Sequence, residues 1–383
     1  MNNTYKPRED SYLLLKQVKK NAKGLVLDIG TGSGIQAIGA SKKKNVKNVI
    51  AADINKKLIQ QLKKKYKKTK ISFITSDLFS NIKLKFDTII FNPPYLPEDL
   101  KLKDLTLDGG KKGYETIERF LNQVNNYLKT NGIILIVFSS LTKKEKIDEF
   151  IVNNMLEFKQ LDKKHIFFED LYVYLIKKSK ILQTLEKKQI KNIKKLTKGH
   201  RGLIYTGYLN NKKVTIKIKN PKSKAVGRIK NEAEYINLLN KYKIGPKLLF
   251  YSKDYFVYKF IKGDFIEDFI KKSSKSNVIK VLKIIFNQMF ILDKLKINKE
   301  EMHHPVKHVI VSNNKPILLD FERCHKTLKP HNVTQFCQYI IRLSKLLKGK
   351  NIIINKKKII KLSKIYKKDI NKKNLRVILN EIQ

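Results

Sequence analysis

The tetrapeptide Asn92-Pro93-Pro94-Tyr95 carries the most specific chemistry in the chain. An Asn side-chain oxygen and a proline carbonyl can each accept one N–H of a planar amino group. In an amide or an aryl amine the nitrogen lone pair is delocalised. Both hydrogen bonds strengthen as that nitrogen becomes tetrahedral, which is selective binding of a transition state. Two prolines stiffen the loop, so holding it in place costs little entropy. Tyr95 can stack on the flat group that bears the nitrogen. Asn92, Pro93, Pro94 and Tyr95 are therefore the expected catalytic set for moving a small group onto a planar nitrogen.

A second constellation, Asp28-Ile29-Gly30-Thr31-Gly32-Ser33-Gly34, follows the apolar run Leu25-Val26-Leu27. Gly30, Gly32 and Gly34 permit a tight turn after a strand and let a ligand approach the backbone closely. The spacing D-x-G-x-G-x-G, opened by a carboxylate, differs from the G-x-G-x-x-G of dinucleotide sites. It favours S-adenosylmethionine, whose ammonium group needs a negative neighbour and which has no pyrophosphate to cradle. Asp53, about 20 residues on, is placed to accept both ribose hydroxyls. Asp77, with Leu78 beside it, follows a later strand and can accept a hydrogen bond from an adenine amino group.

These groups need a scaffold that delivers several strand ends to one edge. The chain supplies the signals: a capped amphipathic helix opened by Pro7-Arg8-Glu9-Asp10-Ser11, then short apolar strands ending near Leu27, Asp53, Thr75 and Phe91. A helix is expected near Tyr114–Leu128 and a strand at Ile133–Phe138, with late strands near His165–Phe168 and Leu171–Ile176. Strands separated by crossover helices imply a doubly wound α/β fold with a parallel, Rossmann-like sheet and its site at the strand C-termini.

Residues 1–178 resemble the class I S-adenosylmethionine-dependent methyltransferases of the HemK2 type, the eukaryotic and archaeal release-factor glutamine methyltransferases. The matching segments run from Tyr5 through Pro7, Glu9-Asp10-Ser11 and Leu15, through the glycine turn, Asp53-Ile54-Asn55 and Asp77-Leu78-Phe79, to Phe91–Pro97 and Asp108–Glu115. The resemblance implies N5-methylation of the glutamine in the Gly-Gly-Gln loop of peptide release factor. It also implies a small zinc-binding activator subunit as a partner. The Asn-Pro-Pro-Tyr loop serves adenine-N6 methyltransferases of nucleic acids as well, so that substrate class stays open as the alternative.

The second half carries a different set of parts. Lys198-Gly199-His200-Arg201-Gly202 is a glycine turn, Lys213–Lys219 an alternating strand containing Lys217, and Glu232 sits on the helix that follows. Leu318-Leu319-Asp320-Phe321-Glu322 closes a short strand much later. This order, over about residues 193–345, resembles the archaeal serine/threonine kinases related to the RIO and Bud32 groups. The resemblance implies a small α+β kinase-like domain: Gly199, Gly202, Lys217 and Glu232 would hold ATP, Asp320 and His308 would hold Mg²⁺, and Glu301 is the candidate base. The departures lie where the chemistry is. Thr197 stands for the first loop glycine, His308 for the usual metal-binding Asn, Glu322 for the Gly after Asp-Phe, and no H-x-D occurs. A catalytic kinase and a nucleotide-binding pseudokinase both remain open. His303, His304 and His308 have poor spacing for zinc.

Length and composition frame all of this. The 383 residues exceed what one core organises, and 42% hydrophobic residues exclude a wholly disordered chain. The longest apolar run, Ile133–Phe138, is far short of a membrane span, and the N-terminus has no secretory apolar segment. A soluble, cytoplasmic protein is expected. The net charge is +50, with +16 on residues 1–180 and +34 beyond. Such a field attracts phosphate polymers and makes ribosome or RNA contact a candidate. Only seven of the basic residues are Arg, however, and Lys is spread along the chain, as an A/T-rich genome would produce. The expected organisation is a methyltransferase domain over 1–178, a linker helix over 179–195, a kinase-like domain over 196–345 and a basic helical tail over 346–383.

Overall fold

A computed structural model of the chain describes residues 6–96, 109–198, 202–220 and 227–383. It divides into two units, Met1–Lys194 and Lys195–Gln383.

In the first unit, α1 (Glu9–Asn21) leads into β1 (Gly24–Ile29), α2 (Ile35–Ser41), β2 (Val46–Asp53), α3 (Lys56–Lys65), β3 (Ile71–Thr75) and β4 (Phe86–Phe91). Then come α4 (Glu115–Val124), β5 (Leu128–Ser139), α5 (Lys144–Asn153), β6 (Leu156–Ile166), β7 (Glu169–Lys178) and α6 (Lys180–Lys187). The strands form one seven-stranded sheet in the order β3-β2-β1-β4-β5-β7-β6. β1 to β5 are mutually parallel, and strands are added to one side of β1 (β2, β3) and then to the other (β4, β5), a switch point at whose C-terminal end sheets of this kind open a crevice. Both faces are covered, as a parallel sheet requires. Leu14, Val18, Ala37, Leu58 and Leu62 of the first three helices pack on Val26, Ile90 and Leu135. The alternate residue Phe91 faces the other way and stacks on Phe120 of α4 at 4.5 Å between ring centres.

The all-parallel expectation fails at the last two strands. β7 runs antiparallel to both β5 and β6. Only Phe167 and Phe168 separate β6 from β7, and a two-residue turn can join antiparallel neighbours but cannot make a crossover.

The linker helix over 179–195 is half helix and half strand. α6 stops where Gln189 takes a left-handed φ of +63°, and β8 (Ile190–Lys198) follows, with Asn192 also left-handed. Ile190, Ile193 and Leu196 recur every third residue, which reads as helix in sequence; the reversed backbone at Asn192 resets that period. The division between the units falls within β8.

The second unit continues with β9 (Gly202–Leu209), β10 (Lys212–Lys219), α7 (Arg228–Asn240), β11 (Leu248–Tyr251) and β12 (Tyr255–Lys259), giving a sheet in the order β11-β12-β10-β9-β8. A mainly helical part follows: β13 (Asp264–Phe265), α8 (Ile266–Lys272), α9 (Lys275–Lys294), β14 (Ile297–Asn298), β15 (Val309–Ser312), β16 (Lys315–Leu318), β17 (His325–Lys326), α10 (Asn332–Arg342), α11 (Ser344–Lys348), α12 (Lys356–Lys368) and α13 (Lys372–Asn380). The segment expected as a basic tail is helical and basic, but it is built into the core. Ile352, Ile359, Tyr366, Leu375, Ile378 and Ile382 are buried with α9 and α10. Among the described residues no helix is long and apolar enough to cross a membrane.

Candidate active site

Strand register puts the glycine turn beside the acceptor loop. Ile29 pairs with Phe91, so Gly30 and Asn92 are the next residues on adjacent strands. Gly30, Gly32 and Gly34 have φ of +63°, +49° and +81°, a region that side chains disfavour. A Cβ on Gly32 would meet nothing nearer than the Gly30 carbonyl at 4.0 Å. Backbone direction, not crowding, demands glycine there, and the turn leaves room for a ligand against its backbone.

Asp28, next to last in β1, has its side chain buried. Its Oδ2 accepts hydrogen bonds from the Thr31 hydroxyl at 2.6 Å and from the Ala37 N–H at 3.0 Å. Burial pushes its carboxyl up to about 7, against the pull of those two donors. Asp53, at the end of β2, accepts the Gly32 N–H at 3.0 Å through Oδ2 and the Asn55 N–H at 2.9 Å through Oδ1. Both carboxylates thus shape the turn as well as facing its neighbourhood. Asp77 lies beyond β3 in an ion pair with Arg119 of α4 at 2.7 Å, a partner that sequence reasoning missed. Leu78 next to it is left-handed (φ +45°) with its side chain buried.

Asn92 is held by residues 81 and 82 positions away. Its Nδ2 donates to Asp10 Oδ2 at 2.9 Å and to Ser11 Oγ at 3.3 Å. Its Oδ1 is buried and has no hydrogen-bond partner among the described residues. A buried acceptor left without a donor is costly, and here it belongs to the atom that sequence assigned to a substrate N–H. Asp10 and Ser11 belong to the segment expected to open and cap α1. The N-cap of α1 is instead Arg8 without a side-chain cap, and Asp10 and Ser11 are buried. The signal was available: Asp10 stands three and four residues before Leu13 and Leu14, on the apolar stripe of the helix. The Ser11 carbonyl is tied to Gln36 of α2 at 2.8 Å. Pro93 is buried, Pro94 and Tyr95 are half-buried, and Tyr95 packs against the core beneath α1–α3.

The open glycine turn and the carboxylates at three successive strand ends fit S-adenosylmethionine, and the orphaned Asn92 oxygen offers an acceptor beside it.

In the second unit, Lys217 of β10 reaches Glu232 of α7 at 2.6 Å and lies 3.9 Å from Asp320 Oδ1. Burial works against the Lys217 charge, but the carboxylates of Glu232 and Asp320 outweigh it and hold its pKa above the usual lysine range. A Cβ on Gly202 would stand 3.1 Å from Lys217 Cε, so this glycine makes room for the lysine stem. Gly199 lies outside the described residues. Glu301, His308 and Asp320 each offer a ligand atom within 4.8 Å of the others. Glu301 Oε1 is engaged by Arg323 at 2.5 Å, and its Oε2 is 3.6 Å from His308 Nε2. Burial, then the nearby Lys299 cation, lowers the His308 pKa and favours the neutral, metal-binding imidazole. Sequence missed Lys299, which is buried, donates to the Asp320 carbonyl and lies over the Phe321 ring at 5.0 Å.

The family model described as Methyltransferase small domain matches residues 8–167. A protein of Methanocaldococcus jannaschii, provisionally named protein N5-glutamine methyltransferase, is 44% identical over 153 residues, which is 38% of this chain and 77% of that protein. The release factor glutamine methyltransferase of Borreliella burgdorferi is 37% identical over 148 residues, covering 34% of this chain and about half (51%) of that protein's length. A solved structure described as the E. cuniculi Mtq2–Trm112 complex responsible for methylation of the eRF1 translation termination factor is similar at 25% identity. That likeness covers 46% of this chain and 98% of that one, with a TM-score of 0.38.

Proposed function

This chain belongs, through residues 8–167, to the methyltransferase small domain family and is an S-adenosylmethionine-dependent methyltransferase; on that premise we propose that it methylates the side-chain nitrogen N5 of a protein glutamine, that of the Gly-Gly-Gln loop of peptide release factor. The orphaned, buried Oδ1 of Asn92 is the observation that carries this reading. With its Nδ2 committed to Asp10 and Ser11, Asn92 can only accept, which suits one N–H of a carboxamide. The Pro93 carbonyl takes the second N–H. Both acceptors draw the nitrogen away from conjugation with its carbonyl and strengthen their hold as it becomes tetrahedral. Tyr95 covers the planar face. S-adenosylmethionine supplies the methyl group. Asp28 and the turn through Gly30, Gly32 and Gly34 hold its amino-acid end, Asp53 its ribose, and Asp77 with Leu78 its adenine. The 44% identity to a protein provisionally named for glutamine-N5 chemistry supports amide over adenine as the acceptor. A small zinc-binding activator subunit is the expected partner.

The direct test is transfer of labelled methyl to purified release factor, with the loop glutamine intact or replaced. Label that depends on the glutamine and disappears in Asn92→Ala supports the assignment. Label in added DNA or RNA instead of protein would overturn it.

The second unit is read as an ATP-binding, kinase-like domain, supported by the buried Lys217–Glu232 pair with Asp320 close by. Lys217 would hold phosphate oxygens, Asp320 with His308 would hold Mg²⁺, and Glu301 beside them is the candidate base. Binding of an ATP analogue that requires both Lys217 and a divalent ion is its test; salt-dependent RNA binding indifferent to Lys217→Ala would favour a ribosome-docking module.

A further inference from the structure

The turn between β6 and β7 consists of two phenylalanines. Phe167 and Phe168 are 91% and 98% exposed, the most exposed large apolar side chains among the described residues. Ile166 pairs directly with Glu169, so these two residues are the whole turn, and Phe167 is left-handed at φ +43°. Two-residue hairpin turns favour Asn and Gly because those tolerate positive φ. A strained, solvated aromatic pair serves neither the turn nor solubility, so its use lies in what it touches.

The tip is pinned from below. The Asp170 N–H donates to Ser140 Oγ at 3.0 Å, and Ser139 Oγ donates to the Glu169 carboxylate. Asp170 also holds Lys163 at 2.9 Å and His165 at 3.0 Å across the hairpin. The anchors Ser139 and Ser140 stand at the C-terminal end of β5, the edge of the sheet that bears Asn92. Register gives the spacing. Phe91 is level with Ile136, and Ile136 with Tyr174. Six residues of strand rise and two strand separations then put Phe168 about 20 Å from the acceptor loop, on its side of the sheet.

We infer that Phe167 and Phe168 are a docking point for the folded protein that carries the methyl-acceptor glutamine, gripping an apolar concavity on it about 20 Å from the reacting amide. This rests on the protein-glutamine reading above. Exposed aromatics can also stack on nucleic-acid bases. Carboxylates (Glu169, Asp170) and basic residues (Lys163, Lys164, His165) adjoin the tip together, so charge does not single out a polyanion; the tip's place on the edge of the sheet that bears Asn92 favours the methyl-acceptor protein.

The test compares two acceptors with the full chain: intact release factor and a short peptide containing its Gly-Gly-Gln loop. For Phe167→Ala/Phe168→Ala, KM for intact factor should rise about ten- to a hundredfold, with kcat within twofold and peptide kinetics unchanged. Phe167→Leu/Phe168→Leu should recover much of the loss. An unchanged KM for intact factor, or an equal fall on both acceptors, overturns the docking role. Loss of single-stranded RNA binding in the double variant, with factor kinetics intact, would reassign the tip to nucleic acid. If wild type methylates neither acceptor, the glutamine reading itself has failed and this inference falls with it.

Discussion

Asp10 Oδ2 accepts a hydrogen bond from Asn92 Nδ2 at 2.9 Å, and this contact decides which face of the Asn92 amide is left for a substrate. With the amino side tied to Asp10 and Ser11, the buried oxygen is left without a partner among the described residues. Positioning residues can therefore be separated from the residue they position. Asn92→Ala should lower kcat by about 10²- to 10³-fold, the usual cost of losing one transition-state hydrogen bond. Asp10→Ala should cost about tenfold in kcat with S-adenosylmethionine affinity nearly unchanged, read by steady-state kinetics beside calorimetry. Equal losses in affinity and kcat would show that Asp10 supports the helix rather than the amide.

Asp28 predicts a pH dependence of stability. Its carboxyl ordinarily titrates at 3.8 and is pushed up to about 7 by burial. Between those values the folded state holds a proton that the unfolded chain has lost, so stability falls as pH rises through the window. Above it the full penalty is present, on the order of 4 kcal/mol. Asp28→Asn keeps an acceptor for Thr31 and Ala37 but cannot ionise. Its melting temperature relative to wild type should rise from pH 5 to pH 8. A constant difference would mean that Asp28 is not a buried titrating group.

The Lys217–Glu232 pair predicts an asymmetry between breaking and replacing. The two side chains are 13% and 3% exposed. Lys217→Met strands a buried carboxylate and should destabilise the second unit by about 3–5 kcal/mol, whereas Lys217→Met/Glu232→Leu should recover most of that. Urea unfolding measures both, and ATP-analogue binding should be lost in both. A single-variant cost below about 1 kcal/mol would exclude a buried, coupled pair.

Arg119 and Asp77 form an exposed pair whose contribution to stability is small, about 0.5 kcal/mol. Arg119→Ala should leave stability nearly unchanged and hold or tighten S-adenosylmethionine binding, since it frees Asp77. Asp77→Ala should weaken that binding about fivefold, the scale of one hydrogen bond. Calorimetric titration of the two variants checks this, and an unaltered affinity in Asp77→Ala would remove Asp77 from the cofactor site.

What could be read in advance follows the range of the interactions involved. The glycine turn, the strand-end carboxylates and the Asn-Pro-Pro-Tyr loop are local patterns, and the sheet brings them to one edge as the α/β alternation required. The Lys217–Glu232 pairing, 15 residues apart, was legible for the same reason. Partners distant in sequence were not: Asp10 for Asn92, Arg119 for Asp77, and Arg323 for Glu301. Each is a surface-type residue whose role exists only once two elements meet. The antiparallel β7 was missed because apolar alternation states that a strand exists and leaves its direction to turn length. The helical tail was misjudged because its lysines hide a stripe through Ile359, Leu362 and Tyr366 that packs on the core.

That stripe has a consequence for how the chain is made. Tyr366 donates its hydroxyl to Asp293, the same carboxylate that receives the backbone N–H groups of Asn332 and Val333 at the start of α10. The core of the second unit gathers residues from Ile229 to Ile382, so it cannot close until those last residues have left the ribosome. The first unit ends at Lys194. Synthesis therefore separates the two in time: residues 1–194 emerge before any of the second unit's core, which closes only once Ile382 has been made.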